Sequence, residues 1–344
     1  MTEASSEIAP LGARRVLERG RPVGYVMAVG GAVLFSVNGS VSKVTLSSGL
    51  DSLDLVLLRC AGAMVALLLL VLAVEPSRLR VRRQEWPLLL VYGVIGIAMV
   101  QWLYFVAIAR LPVGIALLLE FTAPLLVALW ATFVQRKDLG RSVWLALGLA
   151  LAGLTLVAEV WQGLTLDLVG VLAAAAAAVS LATYFVAGEH AVGTRDTLSL
   201  AFWAFVVATV FWSVAHPWWT IPWQELTRTV SLQGNLEAWT APLWGLVAWI
   251  VLLGTVAPFL LVIGALRHVP ATRAGIVGTI EPVLAGLIAF WWLGEVLSLV
   301  QVIGAVVVIV GVSLAQLATA PAAAVTAAEG TAPPGPTSTQ PRPG

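Results

Sequence analysis

Leu111-Pro112-Val113-Gly114-Ile115-Ala116-Leu117-Leu118-Leu119-Glu120-Phe121-Thr122-Ala123-Pro124 returns later in the chain with most side chains changed and both prolines kept. Its counterpart is Val269-Pro270-Ala271-Thr272-Arg273-Ala274-Gly275-Ile276-Val277-Gly278-Thr279-Ile280-Glu281-Pro282. A constant offset of 158 carries Pro112 onto Pro270, Pro124 onto Pro282 and, further along, Gly153 onto Gly311. Both stretches lie in long apolar segments, so the chain reads as a duplicated membrane protein. An odd number of spanning helices in each copy sets the copies upside down relative to each other, the architecture of secondary transporters. The helix count therefore decides the fold.

Composition already names the solvent. At 60% hydrophobic and 11% charged residues, with a mean hydropathy of +0.95, the chain has too much apolar surface for a soluble globule. Three histidines and one cysteine are too few for a structural zinc site or a disulfide framework. Cys60 sits in an apolar run and reads as a small core residue. The arginine-bearing start, with Arg14, Arg15, Arg19 and Arg21, runs into an apolar segment without a cleavage site, so an uncleaved first helix is expected.

Roughly twenty apolar residues cross a bilayer core, and by that measure ten helices are expected in an all-α polytopic membrane protein. The first repeat, residues 22–158, holds helices at about 22–46, 52–74, 87–109, 113–133 and 142–158. The second, residues 166–317, holds them at about 166–188, 198–215, 241–266, 272–293 and 297–317. Five per repeat is odd, so the repeats are inverted. Basic residues in short flanks stay cytoplasmic. On this topology Arg14, Arg15, Arg19, Arg21, Arg78, Arg80, Arg82, Arg83, Arg136, Lys137, Arg141, Arg195, Arg267 and Arg273 share one side, against Arg110 and Arg228 on the other. That bias puts both termini in the cytoplasm: a tail at 1–21 and a second at 318–344, whose Ala, Pro, Thr and Gly predict disorder. The 216–240 connection, with Trp218, Trp219, Trp223 and Trp239, is expected outside as an interfacial insertion. Trp86, Trp144, Trp161, Trp291 and Trp292 suit the headgroup belts.

The two proline-bounded stretches, together with Trp292-Leu293-Gly294-Glu295, resemble the EamA family of the drug/metabolite transporter superfamily over roughly residues 24–317. The Glu120-Phe121-Thr122-Ala123-Pro124 wording is similar to the threonine/homoserine exporter branch. The resemblance implies ten helices in inverted five-helix repeats, a central cavity between them, and transport of small metabolites, often amino acids outward. One position departs: Glu295 has Lys137 at its aligned place in the first repeat, so this glutamate has no symmetric role.

An ionisable group at the centre of a spanning helix costs about 2.5–3.5 kcal/mol or more unless it finds a partner or a wet cavity. Lys43, Arg59, Glu120 and Glu281 stand in this position. At 1.5 Å rise per residue, Glu120 and Arg59 both lie roughly 10 Å below the outer ends of their helices. Glu120 is read as a cavity carboxylate for a substrate ammonium or a coupling proton, or as a structural ion pair with Arg59. Arg59 in turn suits a substrate carboxylate. Lys43, near the outer end of the first helix, is expected to snorkel. Glu281, near the midplane, precedes Pro282, whose ring pushes it from helical backbone, as Ala123 precedes Pro124. Pro124 and Pro282 are thus expected to bend matching helices and free carbonyls toward a path. Asn38, Gln101, Trp102, Tyr104 and Tyr184 are further candidate cavity groups. Gly93, Gly96, Gly304, Gly311 and the alanines at 173–178 allow close helix approach.

No nucleophile elbow and no phosphate-binding lysine loop occurs, and the three histidines fall at helix ends or loops, which argues against an intramembrane enzyme or an ATPase. The expectation is a secondary transporter of the cell membrane with no cofactor and no metal, exporting amino acids or related metabolites with proton coupling. Its partners are a small-molecule solute and the lipid bilayer, not nucleic acid, and a homodimer is left open. Drug, amine, nucleoside or sugar transport on the same fold is the alternative, with a channel, scaffold or enzyme further off.

Overall fold

A computed structural model describes residues 11–136, 141–159, 166–192, 196–265, 268–269 and 277–319. Among these residues ten main helices follow the expected order. They are α1 (Leu11–Ser47), α2 (Ser52–Val74), α3 (Trp86–Val91, continued through Val100–Ile108), α4 (Val113–Glu120, resumed at Ala123–Phe133) and α5 (Arg141–Val157). The second set is α6 (Leu168–Val192), α7 (Thr197–Ala215), α8 (Leu243–Val251, continued through Ala257–Ala265), α9 (Ile280–Leu293) and α10 (Leu299–Thr319). Eight of them are long and apolar enough to cross a membrane, and α5 and α9 are shorter apolar helices of 17 and 14 residues. The first helix begins at Leu11 and carries Pro22 within it, so part of the stretch expected as a tail is helical. The disorder expected at 320–344 lies outside the described residues.

Local chemistry explains several boundaries. Asp51 accepts hydrogen bonds from the Leu53 and Asp54 amides and begins α2, while Asp196 does the same for Leu198 and Ser199 at the start of α7. These equivalent helices of the two repeats share the device that satisfies orphan amide donors at a helix start. Pro124 has no N–H to give the Glu120 carbonyl four residues back. The helix accordingly stops at Glu120, passes through Phe121 and Thr122, and restarts with Pro124 in its first turn. In the other repeat a turn at Thr279, which is position 121 plus the offset, precedes α9 with Pro282 in its first turn.

A second repeated irregularity lies in α3 and α8. Each widens into a π-helical stretch, at Tyr92–Met99 and Leu252–Val256. The offset of 158 carries Gly96 onto Gly254, so both stretches hold a glycine at the same register. Packing obeys the same symmetry: α2 lies on α7, α4 on α9 and α5 on α10, while α1 meets α8 and α9 just as α6 meets α3 and α4. Large apolar side chains such as Leu69, Leu145, Val214 and Phe290 face outward, which suits a lipid solvent.

Small residues set the tightest contacts. A Cβ on Gly153 would come within 2.7 Å of the Gly304 carbonyl oxygen, and one on Gly311 within 2.8 Å of the Ala146 carbonyl oxygen. Exchanging the repeats, which carries 153 up to 311 and 304 down to 146, turns the first contact into the second, so the α5–α10 pair is itself two-fold. Gly114 and Gly286 bring α4 and α9 together at 2.9 Å by the same measure.

The insertion after α7 is more structured than an amphipathic stretch. It contains an antiparallel hairpin of β1 (Thr229–Ser231) and β2 (Thr240–Pro242). This hairpin sits on the end of α9: Trp292 Nε1 donates to the Leu232 carbonyl at 2.9 Å and Asn235 Nδ2 to that of Trp291. Trp292, expected in a headgroup belt, is thereby buried, whereas Trp219 and Trp239 are exposed as a belt requires.

Candidate functional site

The two helix breaks hold the two acids, and the α8 π stretch receives the arginine of α2. Glu120 is the last residue before the α4 break, and Glu281 lies in the first turn after the α9 break. Ser36 of α1 donates to the Glu281 carbonyl at 3.0 Å, tying the central helix to that break. Arg59 and Glu120 are buried. Arg59, Tyr104, Glu120 and Glu281 are near enough to act on one another electrostatically.

The Arg59–Glu120 ion pair, one of the two readings of Glu120, is not among the ion pairs of the described residues. Arg59 turns to the other repeat, where its Nε donates to Thr255 Oγ1 at 2.8 Å and its Nη2 to the Gly254 carbonyl at 3.3 Å. Its guanidinium carbon also lies 5.3 Å from the centre of the Phe105 ring. Equal depth does not make the two partners, because depth is one coordinate of three. No described residue donates a hydrogen bond to the carboxylate of Glu120 or Glu281, and none pairs with the Tyr104 hydroxyl. Polar heads this deep ordinarily find partners, so these three present unused capacity in one place.

The other candidates divide. Gln101 donates to the Ile97 carbonyl at 3.3 Å, and its Oε1 is buried without a partner among the described residues. Trp102 leaves its Nε1 in the same condition, its ring 5.7 Å from that of Trp212. Asn38 is buried against Gly254 and accepts from Ser42 at 3.5 Å, a packing role beside the Arg59 contact. Tyr184 is not with the others: it stacks on Tyr92 with ring centres 4.9 Å apart, two helical turns or more from Tyr104 along α3.

Lys43 does not snorkel. Its Nζ donates to Glu295 Oε1 at 2.5 Å and to the Leu111 carbonyl at 2.7 Å, and Glu295 Oε2 accepts the Val113 amide at 2.8 Å. The unmatched glutamate of the second repeat therefore caps α4 of the first and neutralises a lysine of α1. Sequence reasoning missed this cluster and the Thr255 contact. A signal for the latter existed: Pro258 stands four residues after Gly254 and leaves that carbonyl without its helical donor. A separate cleft of about 270 Å³ between α4, α9 and α10 is lined mainly by apolar side chains such as Val283, Leu287 and Phe290.

Comparison with known proteins agrees with this architecture. The model of the EamA-like transporter family matches residues 22–158 and 168–316. The threonine/homoserine exporter RhtA of Escherichia coli is 29% identical over 237 residues, 69% of this chain and 73% of that exporter. The Salmonella typhimurium exporter of the same name is 27% identical over the same shares. An uncharacterized transporter of Archaeoglobus fulgidus is 28% identical over 80% of this chain and 91% of its own. A solved crystal structure superposes with a TM-score of 0.57 over 86% of this chain and 97% of its own, at 21% identity; it speaks for the fold alone.

Proposed function

Because this chain belongs to the EamA-like transporter family, and is thus a multi-pass membrane transporter, we propose that it exports amino acids or closely related metabolites by alternating access. The ten main helices all cross the membrane in this reading, with both termini in the cytoplasm, and the inverted repeats rock about a midplane site. The observation that carries it is the group of polar heads gathered around the helix breaks: two carboxylates and a tyrosine hydroxyl that no described residue pairs, beside the partly bound guanidinium of Arg59. A zwitterion supplies what they lack, its ammonium meeting Glu120 or Glu281 and its carboxylate meeting Arg59.

Charge counting supports proton coupling. Two carboxylates and one guanidinium leave one negative charge in an apolar bundle, a state that burial penalises unless a cation joins it. A proton on one acid or the substrate ammonium balances the site, so exchange of one for the other couples the two fluxes. The exporters RhtA make threonine and homoserine the first solutes to try.

Counterflow of labelled threonine and homoserine in proteoliposomes is the test. The expected result is uptake against preloaded amino acid, and Glu120→Gln is expected to raise KM by about tenfold or more, the equivalent of one charge-assisted hydrogen bond. Absence of counterflow with every amino acid, alongside transport of amines, nucleosides or sugars, overturns the substrate reading.

A further inference from the structure

The Arg59 contact is built from both repeats and from an interruption in one of them. Gly254-Thr255-Val256-Ala257-Pro258 leaves the α-helical pattern because Pro258 cannot donate to the Gly254 carbonyl and its ring presses on that group. The helix relieves this by widening at Leu252–Val256, a common form of single-turn accommodation at functional sites. The Gly254 carbonyl then turns to Arg59 Nη2. Thr255 is wholly buried, and its hydroxyl donates to the Ile250 carbonyl at 2.8 Å. That bond directs an oxygen lone pair at Arg59 Nε, 2.8 Å away. The matching widening in α3 has Ile97 where α8 has Thr255, and Val100 where α8 has Pro258. The backbone device is duplicated; the arginine clamp is not.

We propose that Thr255 is a positioning residue for substrate: with the Gly254 carbonyl freed by Pro258, it holds the Nε–Nη2 edge of the Arg59 guanidinium so that the Nη1 end faces the site and selects solutes bearing a carboxylate. Arg59 Nη1 has no hydrogen-bond partner among the described residues. A planar fork held on one side recognises a planar anion on the other at little entropic cost. The clamp comes from α8, whereas Arg59 belongs to α2, so relative movement of the repeats would alter the grip on the guanidinium. This inference rests on the reading of Arg59 as the carboxylate site.

The experiment measures KM and turnover in proteoliposomes for an amino acid and for its carboxamide, which keeps the ammonium and loses the anion. Thr255→Val is expected to raise KM for the acid about tenfold with turnover little changed, and to leave the carboxamide within about twofold. Thr255→Ser, which keeps the hydroxyl, is expected to restore the wild-type ratio. Pro258→Ala supplies a second route if Thr255→Val fails to fold, because an amide restored at 258 competes with Arg59 for the Gly254 carbonyl and lowers the same discrimination. Equal changes for acid and carboxamide in these variants, or none, overturn the positioning role. Arg59→Gln separates the two readings. If it abolishes discrimination while Thr255→Val and Pro258→Ala do not, only the positioning role falls. If Arg59→Gln keeps discrimination, the carboxylate site itself is wrong.

Discussion

Glu281 shows how much one side chain's setting decides. It shares a charged group with Glu120 and Arg59, yet it stands in a resumed helix whose first turn Ser36 holds by the backbone. Replacing it with Gln keeps size and hydrogen-bonding capacity and removes the charge. If one of the two acids carries the coupling proton, Glu281→Gln or Glu120→Gln gives transport whose rate no longer follows pH, while counterflow, which needs no net proton movement, persists at reduced rate. Wild-type pH dependence in both variants, measured by proton-driven efflux from vesicles, removes coupling from these residues. At this scale the sequence was legible in part. Acids and an arginine inside apolar runs announce themselves, since hydrocarbon tolerates them only for a reason. Their pairings were not legible, because helical rise locates a residue along the membrane normal and says nothing of its direction around the helix. Arg59 and Lys43 both found partners in the other repeat, at the α8 carbonyl of Gly254 and at Glu295.

Helices carry the next level of information, and the prolines were its readable marks. Pro124 and Pro282 foretold interruptions, and the interruptions occur just upstream, where the missing N–H leaves a carbonyl unserved. The π stretch of α3 has no proline behind it, so no comparable signal marked it; it accommodates Tyr184 against Gly96, with a Cβ there 3.1 Å from the Tyr184 backbone. Close helix pairs were foreseen from their glycines, and they make a quantitative prediction. At Gly153 and Gly304 an added methyl meets carbonyl oxygen and amide nitrogen of the facing helix within 2.8 Å, and backbone cannot step aside as a side chain does. Gly153→Ala or Gly304→Ala is expected to cost about 1–3 kcal/mol through overpacking, partly offset by up to about 1 kcal/mol of helix propensity. Gly148 on the same helix has nothing within 4 Å of its would-be Cβ, so Gly148→Ala is expected to be neutral or stabilising. Thermal unfolding in detergent distinguishes them; equal effects at 148 and 153 would refute the packing account.

At the scale of the whole molecule, duplication gives the backbone and divergence gives the chemistry. Charge distribution along the chain predicts that the hairpin insertion lies outside and the 76–85 connection inside. A cysteine placed at exposed Glu237 should react with an impermeant maleimide added to intact cells, and one at Arg82 should not; the native Cys60 is buried and adds little background. The reverse labelling would invert the orientation. Lys43, Glu295 and the α4 start fasten the repeats at the end where the hairpin sits. Both side chains of that ion pair are less than a quarter exposed, so removing one partner strands the other in a poorly solvated place. Lys43→Met alone leaves Glu295 with only the Val113 amide, and Glu295→Leu alone leaves Lys43 with only the Leu111 carbonyl. Each single change is expected to cost more than its share of the double change, with a coupling of about 1–3 kcal/mol in a double-mutant cycle read from denaturant or thermal unfolding. Additive losses would mean that the lysine and glutamate are independently solvated, and that the outer contact between repeats rests on the hairpin and on glycine packing instead.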